Sequence, residues 1–104
     1  MKTLEATIDG KVFKFGPLLA ATVRDLGPLI RRASSGEMQD LGEQIDLAVK
    51  VATASMRRVD PQITEDDVAN LVDMSNYTAF YGAAMGQLMP ETPTGEWKAG
   101  SQSG

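Results

Sequence analysis

The stretch Thr3-Leu4-Glu5-Ala6-Thr7-Ile8-Asp9-Gly10-Lys11-Val12-Phe13-Lys14-Phe15 decides the fold class. Leu4, Ala6 and Ile8 alternate with more polar neighbours, Asp9-Gly10 follows, and Val12 then alternates against Lys11 and Lys14. An Asp-Gly pair between two alternating runs signals a β-hairpin closed by a type I′ turn, which needs positive φ at both central residues. Two strands alone are marginal in water, so the apolar face of this hairpin must be covered by a helix or by a neighbouring copy's strand.

The remainder reads as helix. Gly16-Pro17 ends the hairpin, because proline lacks the ladder donor and restricts the residue before it. Thr22 is positioned to cap a helix, with Asp25 three residues on and Val23, Leu26, Leu29 and Ile30 at helical spacing. Gly27-Pro28 predicts a kink or a split in it; Arg31-Arg32 closes it, and Ser34-Ser35-Gly36 reads as a loop. The longest element is expected from about Glu37 to Arg58, where Met38, Leu41, Ile45, Ala48, Ala52 and Val59 form one apolar stripe and Leu47, Val51 and Ala54 a second. A helix apolar on two sides is either central in the core or partly reserved for a partner. Asp60-Pro61 stops it.

Thr64 before Glu65-Asp66-Asp67 predicts a capped start to a helix running through Val68, Leu71 and Val72. Ser75-Asn76 is expected to cap a last helix carrying Tyr77, Phe80, Tyr81, Ala84, Met85 and Leu88. After Met89 the composition turns to Pro, Gly and Ser, which predicts one α+β domain over residues 1–89 and a flexible tail over 90–104. The expected fold is therefore α+β: an N-terminal hairpin on a body of about four helices.

Composition limits the chemistry. A chain of 104 residues supports one domain, burying roughly 65% of its unfolded surface. The absence of cysteine excludes disulfides, thiolate metal sites and cysteine nucleophiles. The absence of histidine removes the commonest general base and metal ligand. No GxxxxGK[ST], GxGxxG or GxSxG motif is present, so neither an enzyme nor a cofactor or metal site is expected. A net charge of -4 argues against nucleic acid as the main partner. The first twenty residues lack an apolar run behind a basic start, and no apolar run approaches about 18 residues, so neither export nor a membrane span is expected and the cytoplasm is the expected location. Glu65-Asp66-Asp67 fits a helix's first turn better than a metal site.

Three features remain as candidates for protein partners. Gly82 and Gly86 give the last helix a smooth side, which suits packing within the chain ahead of docking another helix. Met74, Met85 and Met89 cluster near the C-terminal region and suit an adaptable surface, with core filling as the default reading. Trp97 is an aromatic anchor in the tail that either folds back on the body or docks into a partner's pocket. With the second stripe of the long helix, the candidate partner-binding residues are Leu47, Val51, Tyr81, Gly82, Met85, Gly86, Met89 and Trp97.

The order of these pieces resembles the small tail assembly chaperones of long-tailed bacteriophages and prophages. The resemblance rests on the run from Ala6 to Phe15, on Pro17-Leu18 through Thr22-Val23-Arg24-Asp25-Leu26, and on Ile63 to Asp73 followed by Asn76-Tyr77. It implies a host-cytoplasmic protein that coats the helical tape-measure protein, recruits tail tube subunits and then leaves, with at most weak self-association. The competing class is a structural virion component, such as a head-tail connector or tail terminator subunit, which would form a defined ring.

Overall fold

The computed structural model describes residues 2–86. It is an α+β structure in the order β1 (Leu4–Ile8), β2 (Lys11–Phe15), α1 (Ala20–Ser34), α2 (Leu41–Met56), α3 (Glu65–Ala69) and α4 (Tyr77–Gly86). The sequence boundary at 89 and the tail over 90–104 lie outside the described residues.

Asp9 and Gly10 have φ of 55° and 79°, the left-handed pair a type I′ turn requires. The strands pair antiparallel with Leu4 opposite Phe15, Ala6 opposite Phe13 and Ile8 opposite Lys11. Cross-strand partners share a face, so Phe13 and Phe15 join Leu4, Ala6 and Ile8 on the inner side. Val12, read from its neighbours as the apolar position of the second strand, stands opposite Thr7 and is 60% exposed. Register across the turn, rather than alternation within one strand, decides which side chains turn inward.

The hairpin's inner face is covered by α4 and α2. Phe80 of α4 meets Phe13 and Phe15 at ring-centroid distances of 5.1 and 6.3 Å, both tilted rather than stacked. Where β2 ends, Gly16 N–H donates to the Ser55 carbonyl at 2.9 Å and Ser55 Oγ donates to the Gly16 carbonyl at 2.7 Å. Arg58 adds a third bond, from Nη1 to the Pro17 carbonyl at 2.7 Å. These bonds fix the strand exit to the C-terminal end of α2.

Helix α1 starts earlier than the Thr22 cap predicts. Leu19 occupies the N-cap position with extended backbone and no side-chain bond, while Thr22 lies within the first turn. Gly27-Pro28 does not split the helix, which runs through Pro28 to Ser34. Proline removes one backbone donor, and both Arg24, whose carbonyl loses that partner, and Pro28 are exposed residues, so the loss falls on the solvent side of the helix. No residue of α1 is fully buried; Leu26, Leu29, Ile30 and Ala33 rest half-buried on the core. Gly36, at φ 84°, turns the chain out of α1, and Glu37 N–H closes the end on the Arg32 carbonyl at 3.0 Å.

Helix α2 is shorter than Glu37 to Arg58. Asp40 caps it by accepting from Gly42 N–H at 2.9 Å, and Met38 lies in the preceding loop with its side chain buried. Most of both apolar stripes turns inward: Leu47, Ala48, Val49, Val51 and Ala52 are buried on a helix that packs against the other three helices and β2, whereas Leu41 is exposed and Ile45 and Ala54 are half-buried. Thr53 disposes of its hydroxyl by donating to the Val49 carbonyl at 2.6 Å. Thr64 opens α3 with a capping box, its Oγ1 accepting from Asp67 N–H at 3.1 Å while Asp67 Oδ2 accepts from Thr64 N–H at 3.0 Å. The regular helix ends at Ala69, short of Leu71 and Val72, and Leu71 N–H reaches only three residues back to Val68 in a tightened last turn.

The entry to α4 is built differently from the Ser75-Asn76 cap. Asp73 does the capping: its Oδ1 accepts from Ser75 N–H, Ser75 Oγ and Asn76 N–H at 2.8, 2.7 and 3.0 Å. Those bonds hold the Asp73 carboxyl below its ordinary pKa, the Ser75 hydroxyl contributing most. Asn76 is buried and points back: its Nδ2 donates to Asp9 Oδ2 at 2.7 Å and to the Leu71 carbonyl at 3.0 Å, and its Oδ1 accepts from Asp73 N–H at 2.7 Å. One amide thus ties the hairpin turn, the end of α3 and the start of α4.

Candidate functional site

On one side of α2 the helices leave a groove of about 590 Å³. Ala33 and Gly36 at the end of α1 form one wall, Tyr77, Thr78 and Tyr81 of α4 the other, and Met38, Gln39, Gln44 and Leu47 lie between them. The loop from Gly36 to Asp40 carries the chain from α1 to α2, and both α1 and α4 pack on α2.

Two polar side chains of the lining, Tyr77 and Gln44, are held by hydrogen bonds within the fold. Tyr77 Oη donates to Gln44 Oε1 at 3.1 Å, and Gln44 Nε2 donates to the Met38 carbonyl at 2.7 Å. This relay fixes the Tyr77 ring and the Met38 loop and leaves an apolar concavity. The Tyr81 hydroxyl is buried without a hydrogen-bond partner among the described residues. Burial pushes its pKa up from the ordinary tyrosine value. No group of three or more acidic side chains able to hold a metal occurs among the described residues. A mainly apolar cavity with an aromatic wall and a fixed polar relay is suited to holding an apolar or aromatic side chain.

The candidate residues divide accordingly. Tyr81 and Leu47 line the groove, although Leu47 is only 2% exposed and forms its floor. Val51 has no exposed surface, since the second stripe of α2 packs into the core. As placed, it offers a partner nothing. A Cβ on Gly82 would meet nothing within 4 Å, so that position is an open surface. A Cβ on Gly86 would lie 3.7 Å from Leu4 Cδ2, so the close approach there is to the hairpin of the same chain. Met85 is half-buried on the core and Met74 is 69% exposed, away from the groove lining. Met89 and Trp97 lie outside the described residues.

Sequence reasoning missed the groove residues Ala33, Gly36, Met38, Gln39, Gln44, Tyr77 and Thr78 as a set. One signal was present: Gln44 sits three residues before Leu47 and seven before Val51, a polar residue continuing an apolar stripe. Compared with family models, with curated proteins and with solved structures, the chain matches none.

Proposed function

We propose that the protein is a non-enzymatic binding module that takes an apolar side chain of a helical partner into the groove between α2 and α4, and that it serves as a tail assembly chaperone of a long-tailed bacteriophage or prophage. The observation that carries the reading is the groove: a mainly apolar concavity in which Tyr77 and Gln44 are already bonded to each other and to the Met38 carbonyl. Helix-in-groove recognition places side chains at helical spacing into such clefts, and a client with many similar helical segments multiplies weak contacts into firm capture. The tape-measure protein is the client of that description, and the resemblance of the hairpin, the Thr64 helix start and their order supports the choice. Tail tube subunits are then recruited on the coated client in the host cytoplasm, without cofactor, metal or nucleic acid.

The test is affinity capture of the tagged protein from cells assembling phage tails, followed by mass spectrometry of its companions and of purified particles. The expected result is recovery of the tape-measure protein and absence of this chain from the particles. Its presence as a stoichiometric particle component would overturn the chaperone reading in favour of a connector or terminator subunit.

A further inference from the structure

The hairpin turn carries a covalent chemistry of its own. Joining the side-chain carboxyl carbon of Asp9 to the backbone nitrogen of Gly10 closes a five-membered ring, an intramolecular arrangement that favours reaction. Gly10 brings no side chain to hinder the approach, and its N–H takes part in no hydrogen bond among the described residues. Both residues are exposed, so water reaches the ring once it forms.

The step needs no reagent but water. The Gly10 nitrogen attacks Asp9 Cγ, an N–C bond forms, and the carboxyl hydroxyl leaves with the amide proton as water, giving a succinimide. Water adding at the Asp9 backbone carbonyl carbon then breaks the original bond to the Gly10 nitrogen. The chain is left joined through Cγ as an isoaspartyl link, and the former backbone carbonyl is a free carboxylate. Nothing is oxidised or reduced, and the net change in mass is zero.

The fold opposes this chemistry through Asn76. Its Nδ2 donates to Asp9 Oδ2 at 2.7 Å, and the buried amide is itself fixed by Asp73 N–H and the Leu71 carbonyl. Bringing Cγ over the Gly10 nitrogen turns the carboxyl and breaks that bond. The lock stands 67 residues from the site it guards, so it exists only while the start of α4 is packed on the hairpin.

We propose that Asp9-Gly10 is a self-modification site, held silent by Asn76 and released when the entry to α4 opens. The product is marked against refolding. An isoaspartyl link adds one methylene to the backbone, which the type I′ turn and the pairing of Ile8 with Lys11 do not accommodate, and it turns the carboxyl that answered Asn76 into main chain. The inference stands on the turn alone and is independent of the proposed function.

Electron-transfer fragmentation distinguishes isoaspartate from aspartate at residue 9 at equal mass. The full chain is held at neutral pH for several weeks, folded or in urea, beside Asn76→Ala, Asn76→Ser and Leu47→Ala, with circular dichroism identifying the variants that keep the fold. Asn76→Ser is too short to reach Asp9, and Leu47→Ala removes packing at the groove floor as a control for lost stability. The expected result is isoaspartate in urea, several-fold less in the folded chain, and several-fold faster formation in a folded Asn76 variant than in Leu47→Ala. No isoaspartate in urea would overturn the site. Equal rates in the folded and unfolded chain, or a folded Asn76 variant no faster than Leu47→Ala, would overturn the lock. Where neither Asn76 variant folds, the unaltered chain decides: its rate is expected to rise at urea concentrations below the unfolding transition, and a rate that only tracks global unfolding would overturn the lock. The purified isoaspartyl chain is expected to unfold at lower urea, and an unchanged midpoint would overturn the marking.

Discussion

Asn76 joins segments far apart in sequence through one side chain. Its amide is buried and answers three separate groups, so Asn76→Ala leaves Asp73 N–H and the Leu71 carbonyl without their partner. A loss of about 2 to 4 kcal/mol in urea unfolding is expected. Its neighbour Asp73 confers a pH dependence. The carboxyl's pKa is lowered from 3.8 in the folded chain, so its contribution is present above that value and is lost as pH falls through the folded pKa. Asp73→Asn is therefore expected to flatten the acid limb of thermal midpoint against pH. At this scale the sequence was legible where a residue's role is local: Asp9-Gly10 and Thr64 with Asp67 appear as read. Asn76 was read as a cap because its partners, Asp9 above all, are distant in sequence.

Among the elements, α1 is the loosest. It has no fully buried residue, no side-chain cap and an internal proline, and its amides are expected to exchange with deuterium fastest of those in α1, α2 and α4. Leu19 already has the extended backbone of an N-cap and is 54% exposed, so Leu19→Asp is expected to add about 1 kcal/mol of stability and to slow that exchange. Helix existence was readable from periodicity, but the ends were not. Glu37 to Asp40 satisfies the same spacing as α2, yet Gly36 at positive φ and the Asp40 cap assign those residues to a loop. The groove draws its lining from that loop, from α2 and from α4 together, which is why the site was less legible than the fold.

In the whole molecule, α2 is the hub on which the other three helices and β2 converge, and Phe80 joins the hairpin to it. Phe80→Ala is expected to remove about 3 to 5 kcal/mol, against a total stability of about 5 to 15 kcal/mol for domains of this kind. Its urea midpoint should fall by a large fraction of the unaltered value. The second stripe of α2 illustrates the limit of periodicity: spacing marks Leu47 and Val51 as apolar positions, but only packing decides that both turn inward. What remains open for a partner is the gap beside them. The central claim is that this gap holds the client, and the direct measurement compares tape-measure protein captured by the unaltered chain and by Thr78→Arg, each shown folded by circular dichroism. A loss of about tenfold or more in the variant, equivalent to about 1.4 kcal/mol, is the predicted result. Equal capture by the two would contradict it.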